Sequence, residues 1–392
     1  MNVSLPASRA LSAASPALYV HVPFCEAKCS YCDFYSVAHD GRRETRYVEA
    51  LAIEIARRAP EGFQPATIFI GGGTPTALDD RDFERLLEIV AAAARPGLDV
   101  EWTVECNPNS LTDAKARAMR AAGVTRASIG VQSFDDAVLR SVGRVHDARQ
   151  ARAAVETARR ASIPQVSIDL LFAIPGQGLD TFGRDLDAAV SLGTDHVSAY
   201  ALLYEHGTTL EKLRRDGRVE PEEEDVELTM LRLARDRLGE AGFRRYEVSN
   251  FARPGSECRH NINYWRNGEY LGVGASAASY IARERRSNVA SWQEYQAAVH
   301  AGRDPVATSE TLDAATAMGE EVMVRLRLAE GMSLRQLSDR WGIDAGAAYD
   351  PILRRFVAAG LLERSENDDR IAFTERGLEV ADGVIAEFLV TR

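Results

Sequence analysis

From residue 18 onward, short β-branched apolar runs alternate with amphipathic stretches, and this alternation restricts the fold more than any other feature of the chain. Runs at 18–22, 67–70, 102–105, 127–131, 166–171 and 197–202 read as strands. Between them Val48, Leu51 and Ile55, then Phe83, Leu86, Leu87 and Val90, recur at helical spacing. About six βα units in series imply a parallel sheet with right-handed crossovers. Six strands are fewer than the eight of a closed barrel, so an α/β fold with an open, partial (β/α)6 barrel is expected.

Residues 221–242 predict a long helix whose acidic start, Glu222 to Asp225, complements the helix dipole. A short strand at 245–250 and a Gly-rich segment through Gly274 follow. After about residue 305 the texture changes. Helices are expected at 311–328, at 333–341 behind Ser333 as cap, and at 345–359 up to Gly360, then a strand at 371–373 before Thr374 opens a last helix. That order resembles a winged-helix α+β module. Its third helix offers only Arg354 and Arg355, and Glu363, Glu366, Asp368 and Asp369 would repel phosphate, so packing or partner binding is favoured over reading nucleic acid. The expected units are a mobile tail at 1–16, a barrel unit at 17–300 and a small C-terminal unit at 305–392.

The first strand runs into Cys25, Cys29 and Cys32, a C-x3-C-x2-C loop. Soft thiolates this close suit iron–sulfur or zinc chemistry. Three thiolates hold only three irons of a [4Fe-4S] cube, leaving one iron open. Zinc would need a fourth ligand, for which His21, Asp33 and His39 are candidates. Five cysteines in all, and no secretory leader, disfavour a disulfide and make the cytoplasm the expected compartment. A net charge of −11 counts against a nucleic-acid partner, and no apolar run reaches the length of a membrane span, which leaves peripheral membrane contact open.

In a parallel barrel the chemistry collects at the C-terminal strand ends. Isolated polar residues stand there. The second strand ends in Gly71-Gly72-Gly73-Thr74-Pro75, Glu105 ends the third, Gln132 and Arg144 follow the fourth, and Asp169 interrupts the fifth. A charge inside an apolar strand is costly without a partner, either another side chain or a ligand.

The segments Tyr19-Val-His-Val-Pro-Phe-Cys25, Gly71-Gly-Gly-Thr-Pro75, Glu105-Cys-Asn-Pro108, Gly130-Val-Gln-Ser-Phe134 and Ile168-Asp-Leu-Leu171 resemble the radical S-adenosylmethionine (SAM) family of oxygen-independent coproporphyrinogen III oxidases and their heme-chaperone relatives. The likeness runs from residue 18 into the C-terminal unit. It implies a [4Fe-4S] cluster on the three cysteines, with SAM bound at the open iron and cleaved by one electron to a 5'-deoxyadenosyl radical. It also implies that Tyr19, Tyr31, Gly72, Gly73, Thr74, Glu105, Gln132, Arg144 and Asp169 line the SAM site, Arg144 facing the carboxylate and Asp169 the ribose. The oxidases carry a further Cys two residues beyond the third and a longer N-terminal extension, whereas this chain has Phe34 and a short tail. His260-Asn261-Ile262-Asn263-Tyr264-Trp265 resembles the H-N-x-x-Y-W motif of the heme-chaperone branch, which implies an extension at about 245–280 where His260 is an axial heme ligand. Where that branch has a histidine in a Gly-rich tail, this chain reads Gly274-Ala-Ser-Ala-Ala-Ser279. Cys258 is a lesser candidate for a second heme ligand, and Cys106 has no assigned role. The resemblance favours a protein that binds heme and passes it to apo-hemoproteins, with a homodimer compatible. The rival is a coproporphyrinogen III dehydrogenase.

Overall fold

The computed structural model describes residues 16–39, 44–59, 62–94, 97, 99–365 and 369–389. The tail expected at 1–16, except Pro16, and the acids Glu366 and Asp368 lie outside the described residues.

Strands β1 (Ala17–Val22), β2 (Thr67–Gly72), β3 (Glu101–Cys106), β4 (Arg126–Gln132), β5 (Gln165–Phe172) and β6 (His196–Ala201) lie side by side, parallel and in chain order. Helices α1 (Glu44–Arg58), α2 (Asp80–Ala94), α3 (Asp113–Ala122), α4 (Ala148–Arg160) and α5 (Leu179–Ser191) make the crossovers, as parallel pairing requires. The apolar residues of each helical repeat face the sheet: Phe83, Leu86, Leu87 and Val90 of α2 are all buried. Polar residues punctuate the ends. Thr112 accepts the Lys115 N–H at the start of α3, and Asp147 with Gln150 forms a capping box on α4.

The sheet is larger than the six strands expected. After α6 (Glu224–Glu240), β7 (Arg244–Arg245) and β8 (Asn250–Ala252) run antiparallel beyond β6. The expected strand at 245–250 is therefore split, because Tyr246 leaves the ladder and turns its hydroxyl to His196, 2.8 Å away. The Gly-rich segment that follows contains a helix, α7 (Arg259–Trp265), and then β9 (Tyr270–Val273), which crosses to pair parallel with β1. Antiparallel β10 (Ala278–Ile281), β11 (Glu284–Asn288) and, after α8 (Trp292–His300), β12 (Val306–Thr311) complete the order β12-β11-β10-β9-β1-β2-β3-β4-β5-β6-β8-β7.

Because Thr311 completes β12, the helix expected from 311 begins instead at Ala314 in α9 (Ala314–Arg325), capped by Asp313. Helices α10 (Leu334–Trp341), capped by Ser333, and α11 (Ala345–Ala358) then pack on an antiparallel sheet of β13 (Met332–Ser333), β14 (Leu362–Ser365) and β15 (Arg370–Phe373). This small α+β unit has its own apolar core around Val322, Leu326, Leu337, Leu353 and Phe388, separate from that of the barrel. No helix among the described residues is long and apolar enough to cross a membrane.

Candidate functional site

The cysteine loop leaves the C-terminal end of β1 and is tied at its base, where Phe24–Cys25 pairs in parallel with Val37–Ala38. Ser30 anchors its middle, donating to Val142 O through N–H (3.3 Å) and Oγ (3.0 Å). The three thiols are free and half-buried. Cys25 Sγ lies 3.5 Å from Thr74 Oγ1, and Arg144 Nη1 donates to Cys29 Sγ at 3.3 Å. Burial pushes the Cys32 thiol up to about 11, and a bound cation would favour its thiolate. The further ligands that zinc would need are engaged elsewhere or exposed. His21 meets Tyr19 OH (2.9 Å) and Tyr35 O (3.1 Å), His39 meets Glu44 (2.9 Å), and Asp33 faces solvent. Among the described residues no trio of His, Cys, Asp or Glu is arranged around a single ion. Three soft thiols with no fourth ligand among the described residues fit an iron–sulfur cluster with one open iron.

A cavity of about 330 Å³ fills the barrel beneath this loop. Alternate residues of each strand face it, as the period of two requires: Thr103 and Glu105 on β3, Ser167 and Asp169 on β5, His196, Ser198 and Tyr200 on β6. At the loop end, the Gly72 N–H donates to Glu105 Oε2 at 3.0 Å. Burial raises the Glu105 carboxyl to about 8, helped by the nearby Asp169 and opposed by that N–H. Burial likewise raises Asp169 to about 6 against a hydrogen bond with Ser198 and the Arg144 charge. Two carboxyls held this way suit a ligand bringing an ammonium and hydroxyls.

Glycine is required in the turn after β2. Gly72 has φ +99°, and a Cβ there would run into the His21 ring. A Cβ on Gly73 would lie 2.6 Å from Val22 O. The bare backbone thus lies against both β1 and the cavity.

The predicted residues divide into three groups. Tyr19, Gly72, Glu105, Asp169 and His260 line the cavity together. Thr74 and Arg144 touch the cysteines. Gln132, which is the last residue of β4 and has φ +68°, and Gly73, packed on the backbone of β1, flank the site without lining it, while Tyr31 packs against Val142 and Leu171 and its hydroxyl meets Cys29 beside Arg144. Arg144 Nη2 donates to Asn107 Oδ1 and Gly130 O, both at 2.5 Å, while its Nε is buried with no partner, an orphan donor beside the cysteine loop. Phe34 lies at the cavity mouth, 65% exposed.

The opposite end of the cavity is closed by residues that sequence reasoning missed. Arg126, at the start of β4, is 1% exposed and pairs with Glu101 (3.3 Å) and with Ser256 O and Glu257 O (both 3.1 Å). Glu101 in turn accepts the backbone N–H groups of Arg259 (3.0 Å) and His260 (2.9 Å), fixing the first turn of α7 beneath the barrel. The only sequence signal was a charged residue at the start of each of two apolar strands. His260 is 1% exposed, with Nδ1 2.9 Å from Thr67 Oγ1 and Nε2 2.9 Å from Tyr264 OH. Burial pushes its pKa down to about 3. It therefore sits at the N-terminal end of β2, across the cavity from the cysteines, with both ring nitrogens engaged. Cys258 is buried beside Glu101, and its thiol is pushed up to about 12.

Residues 19–189 match the radical SAM superfamily, and residues 312–380 match the HemN C-terminal domain. A protein of Mycobacterium tuberculosis named heme chaperone HemW is 38% identical over 392 residues, covering 99% of this chain and 98% of its own. The protein of that name from Bacillus subtilis is 32% identical over 374 residues, covering 95% of this chain and 98% of its own. The chain belongs to the HemW family of radical SAM proteins. A solved structure, the coproporphyrinogen III oxidase HemN of Escherichia coli, superimposes with a TM-score of 0.83 over 96% of this chain and 90% of its own at 23% identity, a likeness of fold alone. The HemW fold is thus a partial radical SAM barrel with a small C-terminal α+β domain.

Proposed function

We propose that this HemW-family protein is a heme chaperone: it binds heme and passes it to apo-hemoproteins, and it carries a [4Fe-4S] cluster and SAM. The observation that carries the reading is the match, over 95–99% of the chain, to relatives named heme chaperone. Cys25, Cys29 and Cys32 would hold the cluster, with Arg144 and Thr74 offering hydrogen bonds to its thiolates. Glu105 would take the SAM ammonium, which would supply the positive charge that its burial lacks. Asp169 would take ribose hydroxyls, and the orphaned Nε of Arg144 is a donor for the carboxylate. Tyr19, Tyr31, Gly72, Gly73 and Gln132 would complete the walls. When bound, the cluster supplies an electron to SAM. Phe34, standing where the oxidases have a further cysteine, favours the chaperone over the dehydrogenase.

The test is heme transfer. Protein reconstituted anaerobically with iron and sulfide and loaded with heme is expected to convert an apo-cytochrome to its holo form, and to leave coproporphyrinogen III unchanged in the presence of SAM and a reductant. Porphyrinogen turnover without heme transfer would replace this reading with the dehydrogenase.

A further inference from the structure

Asn107 follows β3 at the loop end of the barrel, two residues beyond Glu105. Its backbone is clamped from both sides. The N–H donates to Thr76 Oγ1 (3.2 Å), and the carbonyl accepts from the N–H groups of Ser110 (3.0 Å) and Leu111 (3.1 Å). Thr76 and Ser110 are themselves buried, with their hydroxyls 2.8 Å apart. Pro108 narrows the backbone conformations open to the residue before it. The Asn107 side chain therefore extends from a fixed base, and it reaches Arg144: Oδ1 accepts from Nη2 at 2.5 Å. A guanidinium has only donors, so the amide must present its oxygen here and not its nitrogen.

Arg126 and Arg144 are held in opposite ways. Arg126 has a carboxylate, Glu101, at 3.3 Å. Arg144 instead meets a thiol, Cys29 Sγ, through Nη1, and two neutral oxygens, Asn107 Oδ1 and Gly130 O, through Nη2. Asp169 feels the Arg144 charge, but its own hydrogen bond goes to Ser198. A Cβ on Gly130 would lie 3.4 Å from Nη2, so glycine there lets the guanidinium close on the carbonyl. Two neutral acceptors on one nitrogen fix the plane of the guanidinium without cancelling its charge. A carboxylate at position 107 would do both.

We infer that Asn107 is a positioning residue for Arg144: it aims an uncancelled positive charge at the Cys29 side of the cluster and leaves the unpartnered Nε to an anionic ligand, the carboxylate of SAM. This inference rests on the cluster and SAM reading and deepens it. A cube on three thiolates is anionic, and one-electron reduction adds a further negative charge. Net charge and hydrogen bonds to the sulfurs set the potential of such a cluster, so a cation donating to Cys29 makes it easier to reduce. With a one-electron reductant such as dithionite as the source, one electron enters the cluster and no bond breaks. The same charge draws a carboxylate. Aspartate at 107 has nearly the shape of asparagine and would bring a counter-charge that opposes both effects.

Full-length protein reconstituted anaerobically with iron and sulfide tests this through iron content, the cluster midpoint potential from dithionite titration followed by electron paramagnetic resonance, and SAM affinity by equilibrium dialysis. The proteins compared are wild type, Asn107→Asp, Asn107→Ala, Arg144→Gln and the double variant Asn107→Ala/Arg144→Gln. Asn107→Asp should keep the wild-type iron content, shift the potential to more negative values and bind SAM on the order of tenfold more weakly. Asn107→Ala loosens the aim but keeps the charge, so it should shift both less. In the Arg144→Gln background Asn107→Ala should change nothing further, because Asn107 acts through the guanidinium. A packing role predicts the reverse order, since alanine leaves a void and aspartate does not. An unchanged potential in Asn107→Asp, a larger shift in Asn107→Ala, or additive effects in the double variant overturns the role of Asn107 while the cluster reading stands. No cluster in the wild type defeats the cluster reading itself. If Asn107→Asp fails to take up iron, the additivity of Asn107→Ala and Arg144→Gln decides.

Discussion

The two ends of the barrel are built from the same strands and serve opposite purposes. At the C-terminal ends the chain is left short of partners: three free thiols, an arginine with a buried orphan nitrogen, and two carboxyls raised by burial. At the N-terminal ends the charged and ring groups are paired with one another, through the Arg126–Glu101 pair, the His196–Tyr246 and His260–Tyr264 bonds, and the backbone of α7, with the Arg126 Nε left buried and unpartnered. The unsatisfied end stores free energy that a ligand can recover, while the satisfied end holds the barrel closed. Substitutions at the first should therefore cost cofactor, and at the second, stability.

The largest expected effect is at the open end. Cys29→Ala should lose the cluster entirely, because two thiolates cannot retain the cube, while Cys106→Ala should keep it. Iron and sulfide counts after anaerobic reconstitution decide this, and a full cluster in Cys29→Ala would break the distinction. Next comes the floor. Arg126→Ala leaves Glu101 buried without its cation and should cost roughly 3–5 kcal/mol in urea unfolding while sparing the iron content of the folded protein. A cost below about 1 kcal/mol would mean that the floor is not held by charge.

The smallest effect concerns Glu247, which bridges to Leu328 where barrel and C-terminal domain meet. Burial raises its carboxyl to about 7, opposed by the Ser249 N–H, Asn250 and the charges of Arg245 and Arg327. The folded state thus binds a proton more tightly than the unfolded chain. The stability this adds is complete below the ordinary glutamate range and is lost as pH rises from about 4.5 through about 7. Glu247→Gln should remove that dependence, and at pH 8 it should be the more stable protein by up to ~3 kcal/mol. Parallel urea curves for both proteins across pH 5 to 8 would refute it.

The open end was legible in the sequence because its polar residues interrupt apolar strands or sit in Gly-rich and Cys-rich turns, and each such interruption needs a reason. The six parallel strands followed from the same apolar runs. The floor was not legible: Arg126 and His196 stand at strand starts, where a polar residue is ordinary, and their partners Ser256 and Tyr246 are more than 45 residues away. Strands β11 and β12 were missed because their sequences, Glu-Arg-Arg-Ser-Asn and Val-Ala-Thr-Ser-Glu-Thr, have no apolar alternation at a largely solvated sheet margin. The position of His260 lies between these cases, since the motif identified the residue but not the direction its ring faces.

The pairing of β1 with β9 sets an order of events during synthesis. Leu18 sits opposite Leu271, so the strand that carries the cysteine loop keeps one bare edge until most of the polypeptide has left the ribosome. Contacts so distant in sequence form late. Helix α7 immediately precedes β9, so the helix beneath the barrel and the closing strand arrive together. Until then the nascent barrel is open along a full edge, its thiols on a loop that leaves a strand supported from one side only. A chaperone of a reactive cargo would thereby spend its own early life as a client. Stalled chains ending near residue 245 should be cleaved readily by protease within β1, and chains extending past 300 should resist. Equal resistance of the two would show that β1 is secured without its late partner.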